Sequence, residues 1–258
     1  MPFLQRPTHT LHYRIDGNAG PWVLFCNSLG TDLRMWNAQV PALSARYRVL
    51  RYDRRGHGES GAPPAPYAMA DLDADVLALL DTLDIGRAHF CGLSLGGLTG
   101  QWLGIHAGER FDRLVVCATA AKIGTPDGWE ARISQVRTQG LQGLTQATAQ
   151  RWFTPSFNAA HADVLRDTLA QFVATDPEGY IGCCHALAAA DFRAQLDRIR
   201  NPVLAISGDD DPVSPPSDLQ AIADGVQNGR HLSLPGRHIV NIESAKAFNA
   251  ALAAFLID

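Results

Sequence analysis

No stretch of this sequence is long and apolar enough to cross a bilayer, so a helical membrane span is excluded. Positive charge is scarce as well: 22 Lys and Arg stand against 26 Asp and Glu, for a net charge of −4. That balance leaves no basic footprint for nucleic acid. The cysteines number five, an odd count, and include no C-x-x-C pair. Cys26, Cys91 and Cys117 fall in apolar, strand-like runs where cysteine behaves as a small buried hydrophobe. Cys183 and Cys184 are neighbours and are expected to stay reduced. The first residues, Met1 to Arg6, lack the basic-then-apolar profile of a secretory leader. Together these absences predict a cytoplasmic protein without membrane or nucleic-acid partners. There is no internal repeat and no low-complexity tract. What remains is ordinary globular material: 258 residues, 46% hydrophobic and 19% charged, enough for one well-filled core.

Short apolar runs alternate with amphipathic stretches, which predicts an α/β fold with a mostly parallel central sheet and helices on both faces. The run Thr10-Leu11-His12-Tyr13-Arg14-Ile15 alternates and ends in Asp16-Gly17, a hairpin signal. Trp22–Cys26 is continuously apolar, as a buried strand requires. Trp36, Val40 and Leu43 recur at helical spacing before a strand over 48–52. Leu72, Val76, Leu79, Leu80 and Leu83 form a second helical face that Gly86 stops. Strands are expected over 87–91 and 114–118, with a helix over 97–107 between them. From 123 to 190 no strand signal appears. Helical stretches rich in Gln, Ala and Thr alternate there with breakers such as Thr154-Pro155-Ser156. The alternation resumes with a strand over 202–206, a helix over 217–223, a strand over 231–234 and a final helix over 243–256. The expected organisation is a core of residues 1–122 and 191–258 interrupted by a helical lid of residues 123–190.

Gly92-Leu93-Ser94-Leu95-Gly96 carries the chemistry. A serine between glycines at a strand-to-helix junction is a nucleophile elbow. The turn is so sharp that the residues two before and two after the serine must be nearly free of side chain. A serine hydroxyl is a poor nucleophile at neutral pH and needs a base, which in turn needs an orienting acid. Of the nine histidines, His238 lies in a Gly-Arg-His turn between the last strand and the final helix. That loop opens at the carboxyl edge of the sheet, the same edge as Ser94. His57 is the rival, but the glycines on either side of it suit a tight turn better than an aimed base. His9, His12, His89 and His231 fall in or beside strands and read as structural. For the acid, Asp209, Asp210 and Asp211 follow the strand over 202–206, and spacing alone does not choose among them. The order Ser, Asp, His matches neither the chymotrypsin nor the subtilisin arrangement. The backbone N–H of Leu95, at a helix N-terminus, is the first candidate donor for an oxyanion. Leu29, in Asn27-Ser28-Leu29-Gly30 after the strand Trp22–Cys26, is the second, and Gly30 lets the backbone turn close to a substrate.

With these residues placed, the chain resembles the α/β-hydrolases over essentially its whole length and, among them, the 3-oxoadipate enol-lactonases. The resemblance includes Arg51 to Gly58 and Cys91-Gly92-Leu93-Ser94, of which the Asp53–Gly58 and Ser94 pieces are shared by the superfamily. The specific part is the loop Asn27 to Trp36, which begins Asn-Ser-Leu-Gly, and the segments Arg151-Trp152-Phe153-Thr154-Pro155 and Gly179-Tyr180-Ile181-Gly182-Cys183-Cys184. Gln101-Trp102-Leu103-Gly104 and Ala120-Ala121-Lys122-Ile123-Gly124 add to it. One departure is Leu95, where these lactonases often carry Met; only the backbone of that residue is used. The resemblance implies that Asp211 is the triad acid, that no metal or organic cofactor takes part, and that the substrate is a small lactone bearing a carboxylate. A positive end to the pocket is then expected, with Lys122, Arg132 and Arg151 as candidates and Trp129 and Trp152 as walls for the ring. Two other readings keep the same residues: a general carboxylesterase or C–C bond hydrolase, and a non-catalytic ligand sensor.

Overall fold

The computed structural model describes residues 2–257; Met1, the first residue of the segment read for a leader, lies outside them. Eight strands build one sheet: β1 (Phe3–Gln5), β2 (Thr10–Asp16), β3 (Trp22–Cys26), β4 (Arg48–Tyr52), β5 (Ala88–Leu93), β6 (Phe111–Cys117), β7 (Val203–Gly208) and β8 (Gly229–Leu234). Their order is β1-β2-β4-β3-β5-β6-β7-β8. β1 and β2 are antiparallel to each other, β2 is antiparallel to β4, and every pair from β4 to β8 is parallel. The central strands are mostly apolar because both of their faces are covered. β5 is buried at all six residues and β7 likewise. Each large side chain buried there contributes about 1.5–3 kcal/mol.

Direction reverses around β3, which connects one way to β4, while β4, β5, β6 and β7 connect the other way. Right-handed crossovers then put α1 (Val40–Leu43) on one face and α2 (Met69–Thr82) and α3 (Leu95–His106) on the other. The helical spacing of Trp36, Val40 and Leu43 becomes two separate turns, a 3₁₀ turn over Leu33–Trp36 and then α1. Pro41, in the first turn of α1, fits there because that position needs no N–H.

The Asp16-Gly17 hairpin expected from the sequence does not form. β2 ends at Asp16, but the next strand, β3, lies two places away, because β4 takes the position beside β2. Gly17 is needed for a different reason: its φ of 80° lies in the left-handed region, and a Cβ there would overlap the carbonyl oxygen of Tyr47. β1, a three-residue strand, carried too few residues to show a period.

Between β6 and β7 the chain forms α4 (Pro126–Gln139), α5 (Thr145–Trp152), α6 (Pro155–Ala160), α7 (Ala162–Val173) and α8 (Pro177–Ala189). Three of these start on a cap followed by proline: Thr125 Oγ1 accepts from the Gly128 N–H, Thr154 Oγ1 from Phe157, and an Asp176 carboxylate oxygen from Gly179. The insertion leaves and rejoins the sheet at one place. The Phe192 N–H donates to the Ala121 carbonyl at 2.8 Å, and Lys122 pairs with Asp191 at 3.4 Å. After β7 come α9 (Pro216–Gly225), α10 (Val240–Glu243) and α11 (Ala245–Ile257), the last packed against α1. All five cysteines are buried and free. Among the described residues no helix is long and apolar enough to cross a membrane.

Candidate active site

β5 delivers Ser94 at its carboxyl end, directly before α3. Ser94 has φ 59° and ψ −115°, a strained conformation for a residue with a Cβ, costing on the order of 1–3 kcal/mol. Three hydrogen bonds hold it. Its N–H donates to Cys117 O at 2.8 Å, and its carbonyl accepts from Thr119 Oγ1 at 2.9 Å and from the Leu98 N–H at 3.0 Å. The glycines around it answer to the same geometry. A Cβ at Gly92 would overlap the Gly96 carbonyl oxygen, and one at Gly96 would overlap that of Cys26. The elbow therefore turns its hydroxyl out over the carboxyl edge of the sheet.

The loops after β7 and β8 meet at that edge, and the three consecutive aspartates separate there. Asp209 accepts from the Gly236 N–H at 3.0 Å and holds the histidine loop. Asp210 faces outward and pairs with Arg237 at 2.8 Å. Asp211 points inward: one oxygen accepts from the Val213 N–H at 2.8 Å, and the other lies 2.9 Å from His238 Nδ1. Both Asp211 and His238 are only 3% exposed. The same loop is tied to the insertion, since the Ile239 N–H donates to Trp152 O at 3.1 Å and Arg237 donates to Gln150 O at 2.6 Å. Ser94 Oγ and the outer nitrogen of His238, Nε2, make no hydrogen bond among the described residues. Both residues line one cavity. Such contacts commonly tighten only when substrate arrives.

After β3, Ser28, Leu29, Gly30 and Thr31 form a tight turn, closed by Thr31 N–H donating to Ser28 O at 3.3 Å. Gly30 has φ 75° while Leu29 stays at negative φ, the pattern of a type II turn. The Gly30 N–H donates to His57 Nε2 at 3.0 Å. The Leu29 N–H makes no hydrogen bond among the described residues. Leu95, the first residue of α3, has an N–H with no partner inside its own helix.

The cavity has a volume of about 310 Å³ and lies between the carboxyl edge of the sheet and the inserted helices. Ser28, Leu29, Ser94 and His238 form its floor; Trp129, Arg132, Arg151 and Trp152 belong to its walls. Arg132 donates to the Tyr180 hydroxyl at 3.3 Å and Arg151 to Thr148 Oγ1 at 3.2 Å. Neither guanidinium meets a carboxylate among the described residues. Burial and, next, the charge of Arg132 push the Arg151 pKa below its usual value. Two half-buried cations without a counter-ion among the described residues therefore face the space beside Ser94.

The family model of the alpha/beta hydrolase fold matches residues 21–245. The chain belongs to the α/β-hydrolase family. Among α/β-hydrolases it is 45% identical to a protein named 3-oxoadipate enol-lactonase 2 from Acinetobacter baylyi, over 95% of this chain and 92% of the relative. It is 40% identical to 3-oxoadipate enol-lactonase 1 of the same organism, over 97% of this chain and 94% of that one. A crystal structure of the enol-lactonase from Burkholderia xenovorans LB400 superposes with a TM-score of 0.98 at 45% identity, covering both chains completely.

In this α/β-hydrolase one sequence candidate stands apart from the rest. Lys122 does not line the cavity; it sits at the neck of the insertion in its pair with Asp191. Sequence reasoning also missed wall residues, notably Thr148, Phe172 and Tyr180. They come from α5, α7 and α8, and only the packing of those helices turns them to a common space. Tyr180 did lie in a motif of the resemblance, though nothing marked it as facing the pocket. Burial pushes its hydroxyl pKa up to about 12, so it stays protonated and able to donate.

His57 is not a free base. It is 1% exposed, its Nδ1 lies 3.1 Å from the Arg55 carbonyl, and its Nε2 accepts from Gly30. Burial first, and the charge of Arg54 second, lower its pKa from 6.5 to about 4. The unfolded chain therefore binds more protons at this residue between those two pH values, and stability falls as pH drops through that window. The loss approaches about 3 kcal/mol near pH 4. Denaturant unfolding at pH 7 and pH 4.5 is expected to show a smaller acid loss in His57→Gln than in the parent. Equal losses in the two proteins would assign the acid sensitivity to other groups.

Proposed function

We propose that this chain is a serine hydrolase that opens 3-oxoadipate enol-lactone to 3-oxoadipate, working with side chains and water alone. In this reading His238 Nε2 takes the proton of Ser94 as Oγ attacks the lactone carbonyl, while Asp211 accepts the hydrogen bond from Nδ1 and holds the ring in the required tautomer. The N–H groups of Leu29 and Leu95 stabilise the tetrahedral oxyanion. Ring opening expels an enol oxygen, a better leaving group than a simple alkoxide, so it demands little of the acid on His238. The enol becomes the ketone. Water activated by His238 then releases the acyl group from Ser94 and restores the enzyme. Residues 123–190 act as the lid that supplies the substrate walls, and Arg132 and Arg151 receive the carboxylate, with Trp129 and Trp152 beside the ring.

The observation that carries this reading is that two guanidinium groups, neither with a carboxylate partner among the described residues, face the same cavity as Ser94 and His238. A site for neutral esters has no use for two cations on its wall. The relatives named as enol-lactonases support the choice of lactone. Turnover of the enol-lactone beside neutral p-nitrophenyl esters tests it, and a clear preference for the esters would move the assignment to a general carboxylesterase. Arg151→Ala is expected to raise KM for the anionic lactone by roughly 10- to 100-fold, the value of a charge-assisted hydrogen bond. KM for a neutral ester should change by less than about threefold. Equal effects on both substrates would remove Arg151 from the carboxylate site.

A further inference from the structure

We propose that His57 is the positioning residue of the oxyanion hole: by accepting from the Gly30 N–H it anchors, at the adjoining peptide, the Ser28–Thr31 turn that carries the Leu29 N–H towards the substrate. The proposal rests on the serine-hydrolase reading and adds a residue to it.

Type I and type II turns differ by a flip of the central peptide, here the one between Leu29 and Gly30. Glycine at the third position permits both forms, so the turn residues do not choose between them. Accepting the Gly30 N–H at 3.0 Å makes that choice, since a flip would break the bond and strand a buried donor. Only one tautomer of His57 serves. Nε2 must be unprotonated to accept from Gly30, which places the proton on Nδ1, within reach of the Arg55 carbonyl. Burial keeps the ring neutral in that form.

The turn is held from its other side by the inserted helices. A Cβ on Gly30 would meet the ring of Phe172 at 2.6 Å and that of Tyr180 at 3.3 Å. His57 itself is carried on a loop whose Gly56 packs backbone to backbone against Gly179 of α8. Tyr180, the next residue along, lines the cavity and accepts from Arg132. The first turn of α8 thus touches the proposed carboxylate site, the roof of the oxyanion turn and the loop that holds His57. Shape alone does not account for histidine at this position, because a phenylalanine ring would fill similar space without accepting from Gly30.

His57→Phe is expected to lower kcat by about 10- to 100-fold with KM within about threefold, as loss of placement of one oxyanion donor would. Inhibition by a trifluoromethyl ketone, whose adduct with Ser94 bears the oxyanion, should weaken by a similar factor, with product affinity unchanged. His57→Gln presents an amide oxygen near the Nε2 position and should recover kcat to within about threefold of the parent. A folded His57→Phe enzyme with parental kcat overturns the proposal. So does a parallel loss of kcat, KM and product affinity, or a His57→Gln variant as impaired as His57→Phe. Should His57→Phe fail to fold, Gly179→Ala carries the test, because its Cβ must displace Gly56. There kcat should fall at least about fivefold at constant KM, and parental kcat overturns the proposal. Labelling of Ser94 in the parent by a fluorophosphonate separates the two levels. An unlabelled parent sinks the serine-hydrolase reading itself, whereas a labelled parent with an unimpaired variant sinks only the role of His57.

Discussion

Replacing Ser94 by alanine is expected to lower kcat on the enol-lactone by about 10⁴- to 10⁶-fold, the cost of removing a catalytic nucleophile. The fold should barely register the change. Ser94 Oγ has no hydrogen-bond partner among the described residues, so its removal strands no buried group. Alanine also keeps the Cβ, so the strain at φ 59° is shared by both proteins. The melting temperature is therefore expected to stay within about 3 °C of the parent. Steady-state turnover and a thermal melt on the same preparation check both halves. Undiminished turnover in the folded variant would remove Ser94 from the chemistry and favour a ligand sensor. A collapsed melt would mean that the hydroxyl does structural work that its surroundings give no sign of.

Asp211→Asn is expected to be nearly as damaging, at about 10⁴-fold in kcat near neutral pH. The reason lies in the second contact of that carboxylate. The Val213 N–H donates to one oxygen at 2.8 Å, and an asparagine would have to keep its amide oxygen there. Its NH₂ group would then face His238 Nδ1, now 2.9 Å from the other oxygen. Nδ1 would be forced to accept, the proton would move to Nε2, and the ring could no longer take a proton from Ser94. Asp210→Asn provides the contrast, since that side chain faces outward to Arg237. It should cost less than about threefold, as exposed pairs do. Similar losses in the two variants would contradict the separate roles given to these neighbours.

The elbow was legible because its demands are local. Glycines two residues to either side of Ser94 follow from backbone clashes within one turn of chain, and an apolar strand must precede it. The carboxyl-edge meeting of Ser94, the Asp209–Asp211 run and His238 followed from strand order alone, since parallel strands present all their exits at one edge. Which of three adjacent aspartates turns inward was not local information. It depends on Gly236 and Arg237 arriving from the loop after β8 to occupy Asp209 and Asp210. The hairpin expected at Asp16-Gly17 failed for a related reason: a turn signal reports that the chain bends, not which strand it will pair with. His57 read as a turn residue between two glycines, and both glycines do have positive φ, at 73° and 55°. Its bond to Gly30 joins loops from different strands, and no spacing rule would have found it.

The joint at Ala121 and Phe192 has an evolutionary corollary. At the joint the sheet meets its insertion through one backbone hydrogen bond and one ion pair, and beyond it the insertion is tied to the His238 loop through Trp152 and Gln150 and to the His57 loop through Gly179. Helices exchanged across that seam would have to restore those ties for Ser94, Asp211 and His238 to keep their positions below. Changes in the pocket walls and in the placement of the groups beneath them are therefore coupled through those shared contacts.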